Sequence, residues 1–139
     1  MPANLRELRA LARAARDLAY APYSNFPVGA VVETSDGRRF SAANVENASY
    51  GLSICAERAA VFAAVLAGAR ELAAVAVCGP DGRTTSPCGA CRQVLAEFAS
   101  AAVPLSYALA GGGWADTTLG ELLPAAFDAQ ALAPLRGTG

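Results

Sequence analysis

The chain has 139 residues, 54% of them hydrophobic, with a formal net charge of −1. That length fits a single domain, 1–139, built on one core, and the charge balance argues against broad electrostatic binding to nucleic acid or to anionic membranes. Histidine is absent and all 11 basic residues are arginine, which excludes an imidazole base, a histidine metal ligand, a Schiff-base lysine and a Walker-type phosphate lysine.

Taken in chain order, residues 3–19 place Leu5, Leu8, Ala12, Ala15 and Leu18 or Ala19 at helical spacing. Arg6, Arg9, Arg13 and Arg16 lie beside that stripe, so the segment reads as an amphipathic helix with a solvated arginine face. Pro22 breaks the helix, and a polar loop leads into "VGAVVET", β-branched enough for a strand. Asp36-Gly37 is a hairpin signal, and "RRFSAANV" should return antiparallel. After the loop "ENASYGLS" comes a helix over about 55–68 that stops at Gly68. "LAAVAVCG" (72–79) has the apolar continuity of a buried strand, and Pro87 opens a helix over about 88–99. "VPLSYALA" (103–110) reads as a strand, "GGG" as a turn, "WADTTL" as a short edge strand and "LGELLPAAFD" as a last helical turn or two. The alternation predicts an α/β domain of three layers: a mixed, roughly five-stranded sheet with helices on both faces. The tail 131–139, "ALAPLRGTG", reads as flexible.

Residues 1–20 carry Arg and Asp throughout, unlike a signal peptide, and no later run is long enough to span a bilayer, so a cytoplasmic location without a membrane partner is expected. The high apolar fraction and mean hydropathy of +0.31 suggest that other subunits cover part of the surface, giving a homo-oligomer. In a reducing compartment the four cysteines favour metal or redox chemistry over structural disulfides.

Cys88 and Cys91 form a CxxC in the first turn of a helix, where residues three apart share a face. Alone, that motif is compatible with a metal site, a redox pair or packing. Cys55 also stands where a loop feeds a helix, a position that stabilises a thiolate. Cys78 lies inside a predicted buried strand and reads as core. Three thiolates are one fewer than structural zinc takes, and match the open site of a catalytic zinc. Such a site needs a proton carrier, and Glu57, two residues after Cys55, is the nearest carboxylate.

"CAE" followed some thirty residues later by "PCGAC" resembles the zinc nucleoside and base deaminase signature, in the version whose first ligand is cysteine. "APYSNFPVGA", "NVENASYG", "CAERAAVF", "SPCGACRQVL" and "ELLPAAF" are similar, in that order, to blocks of the small homotetrameric cytidine deaminases. The resemblance implies the cytidine deaminase-like fold, a homotetramer, and one Zn²⁺ per chain held by Cys55, Cys88 and Cys91. It implies hydrolysis of cytidine and deoxycytidine to uridine and deoxyuridine plus ammonia: hydroxide carried by the zinc attacks C4 while Glu57 shuttles the proton to the ring nitrogen and the leaving amine. Asn44 and Glu46 would hydrogen-bond the sugar hydroxyls and Phe26 would line the pocket. The backbone around Ala56 and Ser86 would contact the base, and Phe127 of a neighbouring subunit would stack on it.

Arg58 follows from charge. Three thiolates and Zn²⁺ sum to −1 and a bound hydroxide makes −2, so a cation is needed to keep the zinc an effective Lewis acid; Arg58, directly after Glu57, is placed to hydrogen-bond the thiolates. Two other readings stay open at this point. One is a deaminase of another aminopyrimidine nucleoside such as blasticidin S. The other is a non-catalytic zinc module for RNA or protein, which would want a fourth ligand, a basic surface or no glutamate, and the sequence offers none of these. Action on polynucleotides is disfavoured because aromatics are only 7% of the chain, too few for a stacking platform.

Overall fold

The structure is a computed structural model in which residues 4–132 are described. Helix α1 (Leu5–Ala15) is capped by Asn4, whose side chain accepts from the Glu7 amide. Strand β1 (Gly29–Thr34) and strand β2 (Arg39–Ala43) form the expected hairpin, with Gly37 at φ +89° in the turn. Helix α2 (Ala56–Leu66) leads to strand β3 (Leu72–Cys78), and helix α3 (Gly89–Phe98) to strand β4 (Pro104–Ala108). Edge strand β5 (Trp114–Thr118) and the single turn α4 (Leu119–Leu122) follow.

One five-stranded sheet runs β2-β1-β3-β4-β5. β3 and β4 are parallel and the other pairs antiparallel, so the sheet is mixed. The period-two alternation of its central strands sorts two cores. Ala30, Val32, Val75, Val77 and Leu105 pack with Ala60, Val61 and Leu95 from α2 and α3. On the opposite face Val31, Ala74, Ala76 and Cys78 meet Leu8 and Ala12 of α1. The three predicted layers are thus present.

Small side chains on the α1 face let that helix lie against the sheet backbone. At Gly29 a Cβ would stand 2.0 Å from the Ala12 carbonyl oxygen and 2.4 Å from the Arg16 amide nitrogen, so only glycine allows α1 to close on the start of β1.

Two expectations for the first helix are corrected. The α-helix stops at Ala15 and tightens into a 3₁₀ turn, Arg16–Leu18; the change in residues per turn swings Leu18 off the buried stripe, leaving it 78% exposed. The arginine row is not simply solvated. Arg9 donates to Ser106 Oγ at 3.0 Å and to both oxygens of Asp116, and Arg16 donates to the Gly79 carbonyl at 3.0 Å and to Asp81 at 2.8 Å. Both pin α1 to the sheet. The expected flexible tail lies, from residue 133 onward, outside the described residues; Ala131 closes a 3₁₀ turn, Ala129–Ala131. Among the described residues no helix is long and apolar enough to cross a membrane.

β2 and β3 both run antiparallel to β1 and therefore parallel to each other. The segments leaving them emerge at one end of the sheet, and each enters a helix there. That end carries the chemistry.

Candidate active site

Cys55 is the N-cap of α2 and Cys88 the N-cap of α3. The Cys88 Sγ accepts from the Cys91 amide one turn into the helix. All three thiols are free, and their sulfurs lie within 4.8 Å of one another, with Cys55–Cys88 at 3.8 Å and Cys88–Cys91 at 3.3 Å. Bonds of about 2.3 Å to a tetrahedral zinc would put thiolate sulfurs about 3.8 Å apart, so the cluster fits a single metal ion with little rearrangement. Cys78 is fully buried on the opposite face, with Arg16 Nη1 3.8 Å from its sulfur.

Arg58 extends back one helical turn, and its Nη2 donates to Cys55 Sγ at 3.4 Å. Its Nε is buried and, among the described residues, has no hydrogen-bond partner. Hydrogen bonding from Cys91, then from Arg58 and Cys88, pulls the Cys55 thiol well below its ordinary range; the same exchange, with burial, pushes Cys91 up. The site therefore favours negative charge on the Cys55 sulfur, the form in which a cysteine binds a metal.

Glu57 is 4% exposed. Burial, with the Cys55 thiolate as a further influence, pushes its carboxyl up to about 7, where it can both take and give a proton at neutral pH.

These groups line one side of a 470 Å³ cavity, and Phe26, Asn44, Glu46, Ala56 and Ser86 also border it. The loop before β1 is stitched to the strand exit after β2: Tyr20 N donates to the Asn44 carbonyl at 3.0 Å, and Glu46 N to the Tyr20 carbonyl at 2.8 Å. The Asn44 side chain accepts from Val28 N at 2.8 Å and donates to the Phe26 carbonyl at 2.9 Å. Of the predicted site residues, Cys91 is buried behind the cavity wall, and Phe127 is outside the lining, 63% exposed. The Phe127 carbonyl accepts from Gln93 Nε2 at 2.7 Å, which ties the C-terminal segment to the helix of the CxxC. Ser24, Tyr50 and Thr85 also line the cavity; each stands in a polar connecting segment of ordinary composition, which gives it no distinguishing signal in the sequence.

Residues 3–107 match the family described as "Cytidine and deoxycytidylate deaminase zinc-binding region". The chain belongs to this cytidine deaminase family. A curated relative named cytidine deaminase, from Sporosarcina psychrophila, is 43% identical over 129 residues, covering 93% of this chain and 95% of the relative. The crystal structure of cytidine deaminase from Burkholderia pseudomallei superposes with a TM-score of 0.84 at 48% identity, over 90% of this chain and all (100%) of that one. That of Mycobacterium tuberculosis gives 0.78 at 42% identity, over 90% and 98%. The matched span includes the three-cysteine cluster and the buried Glu57.

Proposed function

We propose that the protein hydrolyses the exocyclic amine of free cytosine nucleosides, converting cytidine and deoxycytidine to uridine and deoxyuridine with release of ammonia. The observation that carries this reading is the pairing, in one cavity, of a buried glutamate beside three thiols with a polar amide and carboxylate pair. The relatives described above, named cytidine deaminases and matched over nearly their full length, support it.

One Zn²⁺ per chain would be held by Cys55, Cys88 and Cys91, supplying Lewis acidity that activates water at neutral pH. Glu57 accepts one proton from the attacking water on its carboxylate and gives it to the cytosine ring nitrogen; it then takes the remaining proton from the hydroxyl added at C4 and passes it to the amine, which leaves as ammonia while C4 becomes a carbonyl. Arg58 neutralises part of the thiolate charge. Phe26 and the backbone around Ala56 and Ser86 bound the base. Asn44 retains one amide hydrogen, and Glu46 an open lone pair, for the sugar hydroxyls.

The family covers both nucleoside and nucleotide substrates in its description. Charge favours the nucleoside: the cavity lining carries Glu46 and Glu57, and its arginine, Arg58, already faces a thiol. A phosphate would meet like charge without a free cation.

A homotetramer in the cytoplasm completes the reading, with Phe127 reaching a neighbouring subunit's base. Leu66 at 89%, Tyr50 at 75% and Leu52 at 72% exposure leave apolar area that subunit contacts would cover.

The test is purified protein with cytidine, deoxycytidine, cytidine 5′-monophosphate and blasticidin S, following loss of the 4-amino chromophore, with a zinc count per chain. Turnover of the two free nucleosides at one zinc per chain is expected. Inertness toward both, or zinc well below stoichiometric, overturns the reading.

A further inference from the structure

Glu46 does not stand alone at the cavity wall. Its Oε1 accepts from the backbone amides of Tyr23 at 3.0 Å and Ser24 at 3.1 Å, and its Oε2 accepts from the Ser24 hydroxyl. The Ser24 oxygen in turn accepts from the Phe26 amide at 3.1 Å. We infer that Ser24 is a positioning residue for the sugar end of the substrate: its hydroxyl aims the Glu46 carboxylate and couples it to the segment carrying Phe26. The inference rests on the assignment of Glu46 to the sugar hydroxyls.

The direction of the hydrogen bonds forces this role. A serine hydroxyl has one hydrogen to donate, and an ionised carboxylate only accepts. With one lone pair taken by the Phe26 amide, the hydrogen of Ser24 goes to Glu46 Oε2. The Glu46 carboxyl is held below its ordinary range, by Ser24 first and then by the backbone amides of Ser24 and Tyr23, so it is an anion through the neutral range.

The local chain is built to present these donors. Pro22 sets the start of a tight turn closed by the Asn25 amide on the Ala21 carbonyl at 3.0 Å. Asn25 adopts φ +55°, a left-handed conformation that asparagine tolerates, and this returns the Phe26 amide toward Ser24. Two of the three acceptor contacts on Glu46 are main-chain and survive substitution of Ser24. The third fixes Oε2, the oxygen with spare capacity for a ligand. Loss of the hydroxyl therefore leaves Glu46 in the cavity but frees its reactive edge to rotate.

The experiment is steady-state kinetics of the zinc-loaded protein on cytidine and on 2′,3′-dideoxycytidine, for wild type, Ser24→Ala, Ser24→Thr and Glu46→Gln, with zinc content and Tm measured for each. Ser24→Ala is expected to raise KM for cytidine about tenfold with kcat within about twofold, the size of one charge-assisted hydrogen bond, and to leave KM for the dideoxynucleoside unchanged. Ser24→Thr, which keeps the hydroxyl, should restore the wild-type preference. If Ser24→Ala shifts both nucleosides equally, or lowers kcat alone, the residue only shapes its loop and the inference is wrong. Glu46→Gln separates the two levels: if it erases the preference for cytidine while Ser24→Ala does not, only the role of Ser24 fails; if it leaves the preference intact, the sugar assignment fails and takes this inference with it. Should the alanine variant not fold, Ser24→Cys, with its weaker donor, carries the same comparison.

Discussion

Arg58 Nη2 lies 3.4 Å from Cys55 Sγ, and the two residues are three apart at the start of α2. The start of the helix thus brings together a thiol of the cluster, a buried carboxyl and a counter-charge. Removing the counter-charge should weaken the metal as a Lewis acid and loosen its hold. Arg58→Ala is expected to lose zinc to a chelator about tenfold faster and to lower kcat at neutral pH by a similar factor, the usual range for groups that hydrogen-bond metal ligands. Retention of both values at wild-type level would refute the role.

Glu57 and the cysteines separate metal binding from chemistry. Glu57→Gln keeps the shape of the buried site and removes the proton carrier; it should retain one zinc and lose about 10²- to 10⁴-fold in kcat. Cys55→Ala should lose both. Cys78→Ala, on the far face of the sheet, should keep both. Zinc per chain measured beside turnover decides the set.

Stripping the metal with a chelator should abolish turnover and lower Tm, because metal binding to the folded site adds directly to stability. Added zinc should restore both. Failure of zinc to raise Tm would mean that the thiol cluster is not a metal site.

Asp116 offers a pH-dependent test away from the site. Its carboxyl is held below the ordinary 3.8, by Arg9 first and then by Ser106. A depressed folded pKa adds stability above the unfolded value and forfeits it as pH falls through the folded one. Asp116→Asn should therefore lower Tm at pH 7, by no more than about 3 °C given the exposure of the pair, and the gap should close as pH is taken below 3.8. A gap that stays constant down to strongly acidic pH would show that the ion pair contributes nothing.

Gly29→Ala drives a methyl group into the Ala12 carbonyl and the Arg16 amide. Backbone on both sides cannot give way cheaply, so a loss of about 3 kcal/mol or more is expected in urea unfolding. A loss under about 1 kcal/mol would mean that α1 slides freely on the sheet.

The sheet and its two helical layers were legible because their signals are local: β-branched runs, the Asp36-Gly37 turn and the Pro87 helix start each act within a few residues. Cys78 could be set apart from the other cysteines by the strand pattern around it. Arg9 and Arg16 were misread as solvated because their partners, Asp116 and Asp81, lie 107 and 65 residues away, and no periodicity encodes a pairing at that distance. Of the two residues offered for the end of the helical stripe, Leu18 or Ala19, Ala19 is half-buried and Leu18 exposed; a switch from α to 3₁₀ leaves no trace in hydrophobic spacing. Ser24 escaped notice for a third reason: serine in a turn is expected on local grounds, and only the side chain of Glu46, 22 residues on, makes it distinctive.

The two half-sites of the thiol cluster belong to helices that start 33 residues apart, Cys55 on one and Cys88 on the other. They converge only after β3 has added beside β1, since that pairing aligns the two strand exits. A nascent or misassembled chain presents Cys88 and Cys91 as a bare pair, too few donors to hold zinc firmly. Metal acquisition would in this sense act as a proofreading step on the fold: an ion would be retained by chains whose central strands have docked in register, and its occupancy would record that they have.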